Sequence, residues 1–174
     1  MNLLHDETIA LRAIEPTDLD ILYKWENDTT IWQTGCSIAP YSKKEIWDYI
    51  ENYTTDIFKS NQLRLMITLN ESGEAIGTVD LYEFDYFNKR AGVGILIDEA
   101  YRHNGYATHA LNIIENYVGK FIGLHQLWAT ISVENTHSIS LFKKCGYKIC
   151  GRMHSWLRKD KSYIDAFILQ KLIP

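Results

Sequence analysis

Six residues, Arg102-His103-Asn104-Gly105-Tyr106-Ala107, stand between an apolar β-forming run at residues 93–97 and an amphipathic helical pattern that begins at Thr108. A chain that turns from strand to helix here must point the first backbone N–H groups of the helix outward. Up to four of them have no intrahelical partner, and they carry partial positive charge, so such a turn suits a phosphate or pyrophosphate. Gly105 supplies a small residue at the closest approach and Ala107 continues it. The amides of His103, Asn104, Gly105, Tyr106, Ala107 and Thr108 are the expected donors, with Arg102 at the mouth.

The rest of the chain supplies a fold around that turn. Ile9, Ala10, Leu11 and Arg12 read as a first strand, and Pro16 with Asp18 and Asp20 opens a helix that reaches about Asn27. Ser42 and Glu45 form a capping box before Ile46, Trp47, Ile50, Tyr53, Ile57 and Phe58, which recur at helical spacing. Residues 64–69 and 76–84 flank the turn Asn70-Glu71-Ser72-Gly73 and predict an antiparallel hairpin. A strand ending at Ile97 follows, then the helix from Thr108 to a glycine cap at Gly123, then a strand at 127–133. Asn135 or Thr136 caps a short helix closed by Gly146, and two strands joined near 158–162 end the chain. The order βαα, βββ, αβα, ββ predicts an α+β (mixed α/β) fold, a single domain with a mainly antiparallel sheet of about seven strands and about four helices.

Composition narrows the partners. At 174 residues with 46% hydrophobic content the chain can bury a core of its own. Eighteen Lys and Arg against 22 Asp and Glu give a net charge of -4, which argues against a nucleic-acid or anionic-membrane surface and tolerates a cationic small partner. Cys36, Cys145 and Cys150 form no C-x-x-C pair and the six His are scattered, so no disulfide framework and no metal site are expected. With no basic-then-apolar leader and no apolar run of roughly 20 residues, a cytoplasmic location is expected.

The turn Arg102-x-x-Gly105-x-Ala107, set between a strand and a helix and followed by a strand ending at Asn135 and a short helix running to Cys145-Gly146-Tyr147, resembles the GNAT superfamily of acetyl-coenzyme A-dependent N-acetyltransferases. Residues 3–20, 77–83, 89–91 and 151–165 are similar in spacing to its ribosomal-protein N-terminal and spermidine acetyltransferase branch. The resemblance implies acetyl transfer from acetyl-CoA to a primary amine, on a protein N-terminus or a polyamine-like small molecule. It also implies a pantetheine arm inserted between splayed fourth and fifth strands. A homodimer is implied by analogy alone.

Direct transfer requires two positioned substrates, a proton acceptor and a stabilised oxyanion. Amides near Ile95 and Leu96 are candidates for the thioester oxygen, and Ile97 is counted with them among the cofactor-binding residues. Gly92 and Gly94 remove side chains from one face of the fourth strand, for a ligand or for tight packing. The branch usually carries a Glu where Gly92 stands, so a base or amine anchor must come from elsewhere. Asp80 and Glu83 are the candidates, although a regular strand puts them on opposite faces, so only one looks into the site unless the strand is bulged. Glu26 and Asp28 could line an acceptor pocket or be surface charges.

Asn135 matches the position that hydrogen-bonds pantetheine, or is a plain helix cap. Ser138 matches a position near the sulfur. Phe142 occupies the site where many members place a Tyr general acid, and phenylalanine donates no proton. Lys143 and Lys144 suit either a 3′-phosphate or the helix dipole. Trp32, Tyr41, Trp47, Tyr82, Phe84 and Trp156 suit either an acceptor wall or the core, while Tyr147, Cys145 and Cys150 read as packing residues. The uncharged segment 32–40 weakens a polyamine assignment. The alternative from another class is a catalytically weak acyl-CoA-binding module, motivated by Phe142 and Gly92 together.

Overall fold

The computed structural model describes residues 3–35 and 38–173, without the side chains of residues 33–35. Part of the uncharged 32–40 segment, Cys36 included, therefore lies outside the described residues. Seven strands form one sheet, β1 (Ile9–Arg12), β2 (Gln62–Leu69), β3 (Ala75–Asp85), β4 (Arg90–Ile97), β5 (Gln126–Ser132), β6 (Lys148–Lys159) and β7 (Ser162–Leu172), in the order β1-β2-β3-β4-β5-β7-β6. Every neighbouring pair is antiparallel except β4 and β5, which run parallel. The α+β expectation and the seven strands hold.

Six helices are described where about four were expected: α1 (Leu19–Glu26), α2 (Thr29–Gly35), α3 (Lys43–Glu51), α4 (Ile57–Ser60), α5 (Tyr106–Tyr117) and α6 (Thr136–Lys144). The extra pair has local causes. Asp28 accepts from the N–H of Thr30 at 2.9 Å and starts α2. The pattern that spans Ile46 to Phe58 breaks because Asn52 folds its side chain onto the Asp48 carbonyl at 2.7 Å and Asp56 caps a new turn through the N–H of Phe58. The Ser42–Glu45 capping box forms in both directions.

The two faces of the sheet are covered unequally. One face carries Leu65, Val79, Val93 and Leu127 in a large core with Leu111 and Ile114 of α5. On the other, Met66 packs with Leu22 and Trp25 of α1 and Ile46 and Ile50 of α3. Side chains alternate along a strand, so Met66, Thr78 and Leu96 share this second face in one row, and Arg64, Asp80 and Gly94 form the next row. Gln62, Tyr82, Gly92 and Trp128 form the row after that.

Candidate active site

Strands β4 and β5 stay together for only three residue pairs, Arg90 with Gln126, Ala91 with Leu127 and Gly92 with Trp128. Beyond them β5 continues along β7 while β4 continues along β3, and a gap opens between Val93 and Ala129. This is the splay the family resemblance implies. Asp98 donates its N–H to the Ile76 carbonyl at 2.8 Å, which fixes the alternation of the strand. The amides of Leu96 and Gly94 therefore turn toward β3, and those of Ile95 and Ile97 toward the gap. Leu96 is thus corrected as an amide donor: its side chain instead packs beside the α1 and α3 cluster.

At the end of the gap the turn is built as its sequence requires. Gly105 is the α5 N-cap at φ 83°, and His103 is also left-handed at φ 67°. Asn104 staples the turn by donating to the carbonyls of Tyr101 and Arg102, at 3.2 and 3.1 Å, and Arg102 Nε donates to the Ile97 carbonyl at 3.1 Å. The amides of residues 103–107 find no protein acceptor among the described residues, and a Cβ on Gly105 would meet nothing within 4 Å. Five amides without a protein acceptor at a helix N-terminus, around an exposed glycine, fit a diphosphate. Thr108 leaves the donor set, because its N–H bonds the Gly105 carbonyl at 2.9 Å and closes the first turn.

Asn135 is the α6 cap and accepts from the N–H of Ser138 at 3.0 Å. Its oxygen is thereby engaged, and its side-chain amide is the part that remains for a ligand. Ser138 sits half-buried on the first turn of α6. Phe142 is buried and meets the Tyr147 ring edge-on at 4.9 Å, so both are core residues. Burial pushes the Tyr147 phenol far up, and the nearby Glu115 carboxylate adds to the effect.

The Asp80 row is the polar part of the other face. Arg64 donates Nε to Asp80 at 2.6 Å and Nη1 to Glu26 at 2.6 Å, and its guanidinium lies over the Tyr49 ring. Burial works against the Arg64 charge, but Asp80, Tyr49 and Glu26 outweigh it and its pKa rises. Tyr53 pins this arginine's backbone, accepting from the Arg64 N–H at 2.6 Å and donating to its carbonyl at 3.1 Å. Gly94 follows Asp80 in the row, and the gap follows Gly94.

Glu83 is elsewhere. A bulge between Tyr82 and Asp85, with Glu83 at φ 51°, breaks the expected alternation. Glu83 is exposed at the rim of a groove of roughly 540 Å³ that also holds Asp85, Arg90, Trp128 and Cys150. Cys150 is exposed there, against its reading as a packing residue, while Cys145 is buried. Tyr82 lies over Gly92, whose Cβ would come within 2.3 Å of the ring, so the space freed by that glycine is taken by an aromatic side chain. Phe84 is core, Trp32 is half-buried with its indole N–H on the Glu26 carbonyl, and Trp47 and Trp156 are exposed.

Two features escaped the sequence reading. Arg64 stood in an apolar run with no local signal of partners. Asp98, buried beneath α1, accepts from the Trp25 indole at 2.7 Å and from Lys24 at 2.7 Å, and from the N–H of Ala100 at 3.1 Å. Burial alone would raise its carboxyl, but these hydrogen bonds hold its pKa down to about 2. Asp98 thereby ties α1 to the start of the turn.

Residues 8–148 match the model of the acetyltransferase (GNAT) domain. A spermidine N(1)-acetyltransferase of Vibrio cholerae is 26% identical over 139 residues, 80% of this chain and 78% of the relative. The crystal structure of a Vibrio cholerae spermidine N-acetyltransferase with CoA and spermine superposes with a TM-score of 0.85, at 24% identity, over 97% of each chain. A ribosomal alpha-N-protein acetyltransferase in complex with coenzyme A reaches 0.83 at 17% identity, over 97% of this chain and 96% of the other. No helix among the described residues is long and apolar enough to cross a membrane. The chain belongs to the acetyltransferase (GNAT) domain family and is an acetyl-CoA-dependent N-acetyltransferase.

Proposed function

We propose that the acceptor amine arrives on the sheet face carrying Asp80, Gly94 and Trp128, and that Asp80 holds its ammonium and, through water, takes its proton. The observation that carries this reading is the row Arg64, Asp80, Gly94, which runs without an intervening side chain onto the unpaired edge of β4. Acetyl-CoA, when bound, supplies a thioester that a neutral amine can attack directly. The amides of residues 103–107 hold the diphosphate, and the side-chain amide of Asn135 hydrogen-bonds the pantetheine arm. The Ile95 N–H stabilises charge on the carbonyl oxygen. Ser138 is the proposed proton source for the leaving sulfur, since Phe142 has no proton to give. Glu83 is assigned no part in the chemistry.

Both relatives above are named for acceptors bearing primary amines, spermidine in one and a ribosomal protein in the other. The free thiols Cys145 and Cys150 support a reducing compartment such as the cytoplasm. The Asp80→Asn variant tests the assignment. Its kcat/KM toward the best amine in a panel is expected to fall about a hundredfold or more, the usual scale of a general base. Calorimetric affinity for CoA should stay within twofold. An unchanged rate at every pH would remove Asp80 from the mechanism.

A further inference from the structure

Asp80 by itself is a weak attractor for an ammonium. Its carboxylate already receives two hydrogen bonds from Arg64, at 2.6 and 3.4 Å, and Arg64 also neutralises Glu26. A second, uncharged attractor lies two residues along the same strand face. The Tyr82 ring covers Gly92, with Cε2, Cζ and Cδ2 between 2.3 and 2.7 Å from where a Cβ would be, and its Cε1 reaches 3.8 Å from the corresponding point on Gly94. The ring thus reaches across β4 toward the last β4–β5 pair, and it is half-buried. Trp128, on the far side of that pair, stands at 83° to it with centroids 5.3 Å apart. The two rings form a corner at the apex of the gap.

We infer that Tyr82, flanked by Trp128, is an aromatic seat for the ammonium of the acceptor, a cation–π subsite beside Asp80 that determines which amines the enzyme takes. The inference rests on the reading that the acceptor enters on this face. Residues two apart on a strand are about 7 Å apart. An ammonium on the β4 side of the Asp80 carboxylate, over Gly94, can therefore sit about 4 Å from the carboxylate and within about 6 Å of the Tyr82 centroid, the range of a cation–π contact. The glycines are what permit the seat. A side chain at position 92 and an aromatic ring lying over it exclude each other, so Gly92 and Tyr82 act as one unit. The acceptor is thereby recognised as a cation and loses its proton only at Asp80, within reach of the thioester.

A quaternary ammonium tests the seat without turnover, because it cannot be acetylated. A short alkyltrimethylammonium salt and its uncharged tert-butyl isostere are compared as inhibitors competitive with the amine, at saturating acetyl-CoA. The wild-type enzyme is expected to favour the cation by tenfold or more. Tyr82→Leu should weaken the cation's Ki about fivefold to thirtyfold, from exposed to desolvated cation–π strength, and leave the isostere's unchanged. Tyr82→Phe should keep the preference. Trifluorophenylalanine at position 82, which preserves ring shape and drains the π face, should abolish most of it and guards against a Leu variant that misfolds. Equal inhibition by cation and isostere in the wild type overturns the inference, as does a preference indifferent to fluorination. If Asp80→Asn acetylates normally while the preference persists, the proton-acceptor assignment fails and the aromatic seat stands.

Discussion

A Cβ placed on Gly92 would lie 2.3 Å from Cε2 of Tyr82 and 2.6 Å from its Cζ, so the two residues share one volume across β3 and β4. Gly92→Ala therefore forces the ring to move, and overpacking of this kind costs about 1–3 kcal/mol. Tyr82→Ala removes the obstacle together with the ring's own contacts. The double variant should be no less stable than Tyr82→Ala alone, giving a coupling of about 1 kcal/mol or more in a urea-denaturation cycle. Additive effects would show that the ring moves aside freely.

The turn at the head of α5 makes a separate demand on Gly105. With φ at 83° and nothing within 4 Å of a hypothetical Cβ, its requirement is conformational, together with the access it leaves to the amides beside it. Gly105→Val places a β-branched residue in the left-handed region, at about 1–2 kcal/mol, and sets its bulk before the five free amides. CoA affinity by calorimetry should drop at least tenfold while the circular dichroism spectrum keeps its shape. Retained affinity would dissociate these amides from diphosphate binding.

The parts of the molecule that depend on neighbours in sequence were legible, and those that depend on packing were not. The Ser42–Glu45 capping box and the left-handed glycines at 105 and 123 follow from interactions within a few residues. The position of Glu83 does not: a bulge is the exception that lets it share a face with Asp80, and that bulge is set by the register of β3 against β4 with no signal from its neighbours in sequence. Arg64 and Asp98 were silent for a related reason: their partners lie 38 and 73 residues away in the chain. For Gly92 and Gly94 ligand access and tight packing both stood open, and only the fold shows that Tyr82 packs onto Gly92.

Arg64 holds two carboxylates that would otherwise face each other. Each side chain of the Glu26, Arg64 and Asp80 group is about a quarter exposed, at 25% or 27%. Arg64→Ala should destabilise the fold by about 2–3 kcal/mol, below the roughly 3–5 kcal/mol of a fully buried pair that loses one partner. Adding Glu26→Gln to that variant removes one of the stranded charges and should recover about 1 kcal/mol of it. Chemical denaturation at neutral pH reads both. A stable Arg64→Ala protein would mean that solvent already screens the carboxylates.

Asp98 gives the fold an acid-sensitive tie between α1 and the cofactor turn. Its folded-state pKa of about 2 lies below its ordinary value of 3.8, so the unfolded state binds the proton more readily. Its stabilising contribution is therefore complete above about pH 4 and is lost as pH falls through about 2. Asp98→Asn keeps the size of the side chain but gives up the charge that Lys24 and the Trp25 indole bond to, which should cost about 1.5–3 kcal/mol at pH 7. The difference in stability between wild type and variant should shrink as pH is lowered from 4 to 2. Because Asp98 also bonds the N–H of Ala100 at the entry to the turn, CoA affinity should weaken with it, and Trp25 fluorescence should report the released indole. A stability difference independent of pH across that window would show that the Asp98 charge contributes nothing and that the loss lies in the acceptor oxygen that Asn replaces with a donor.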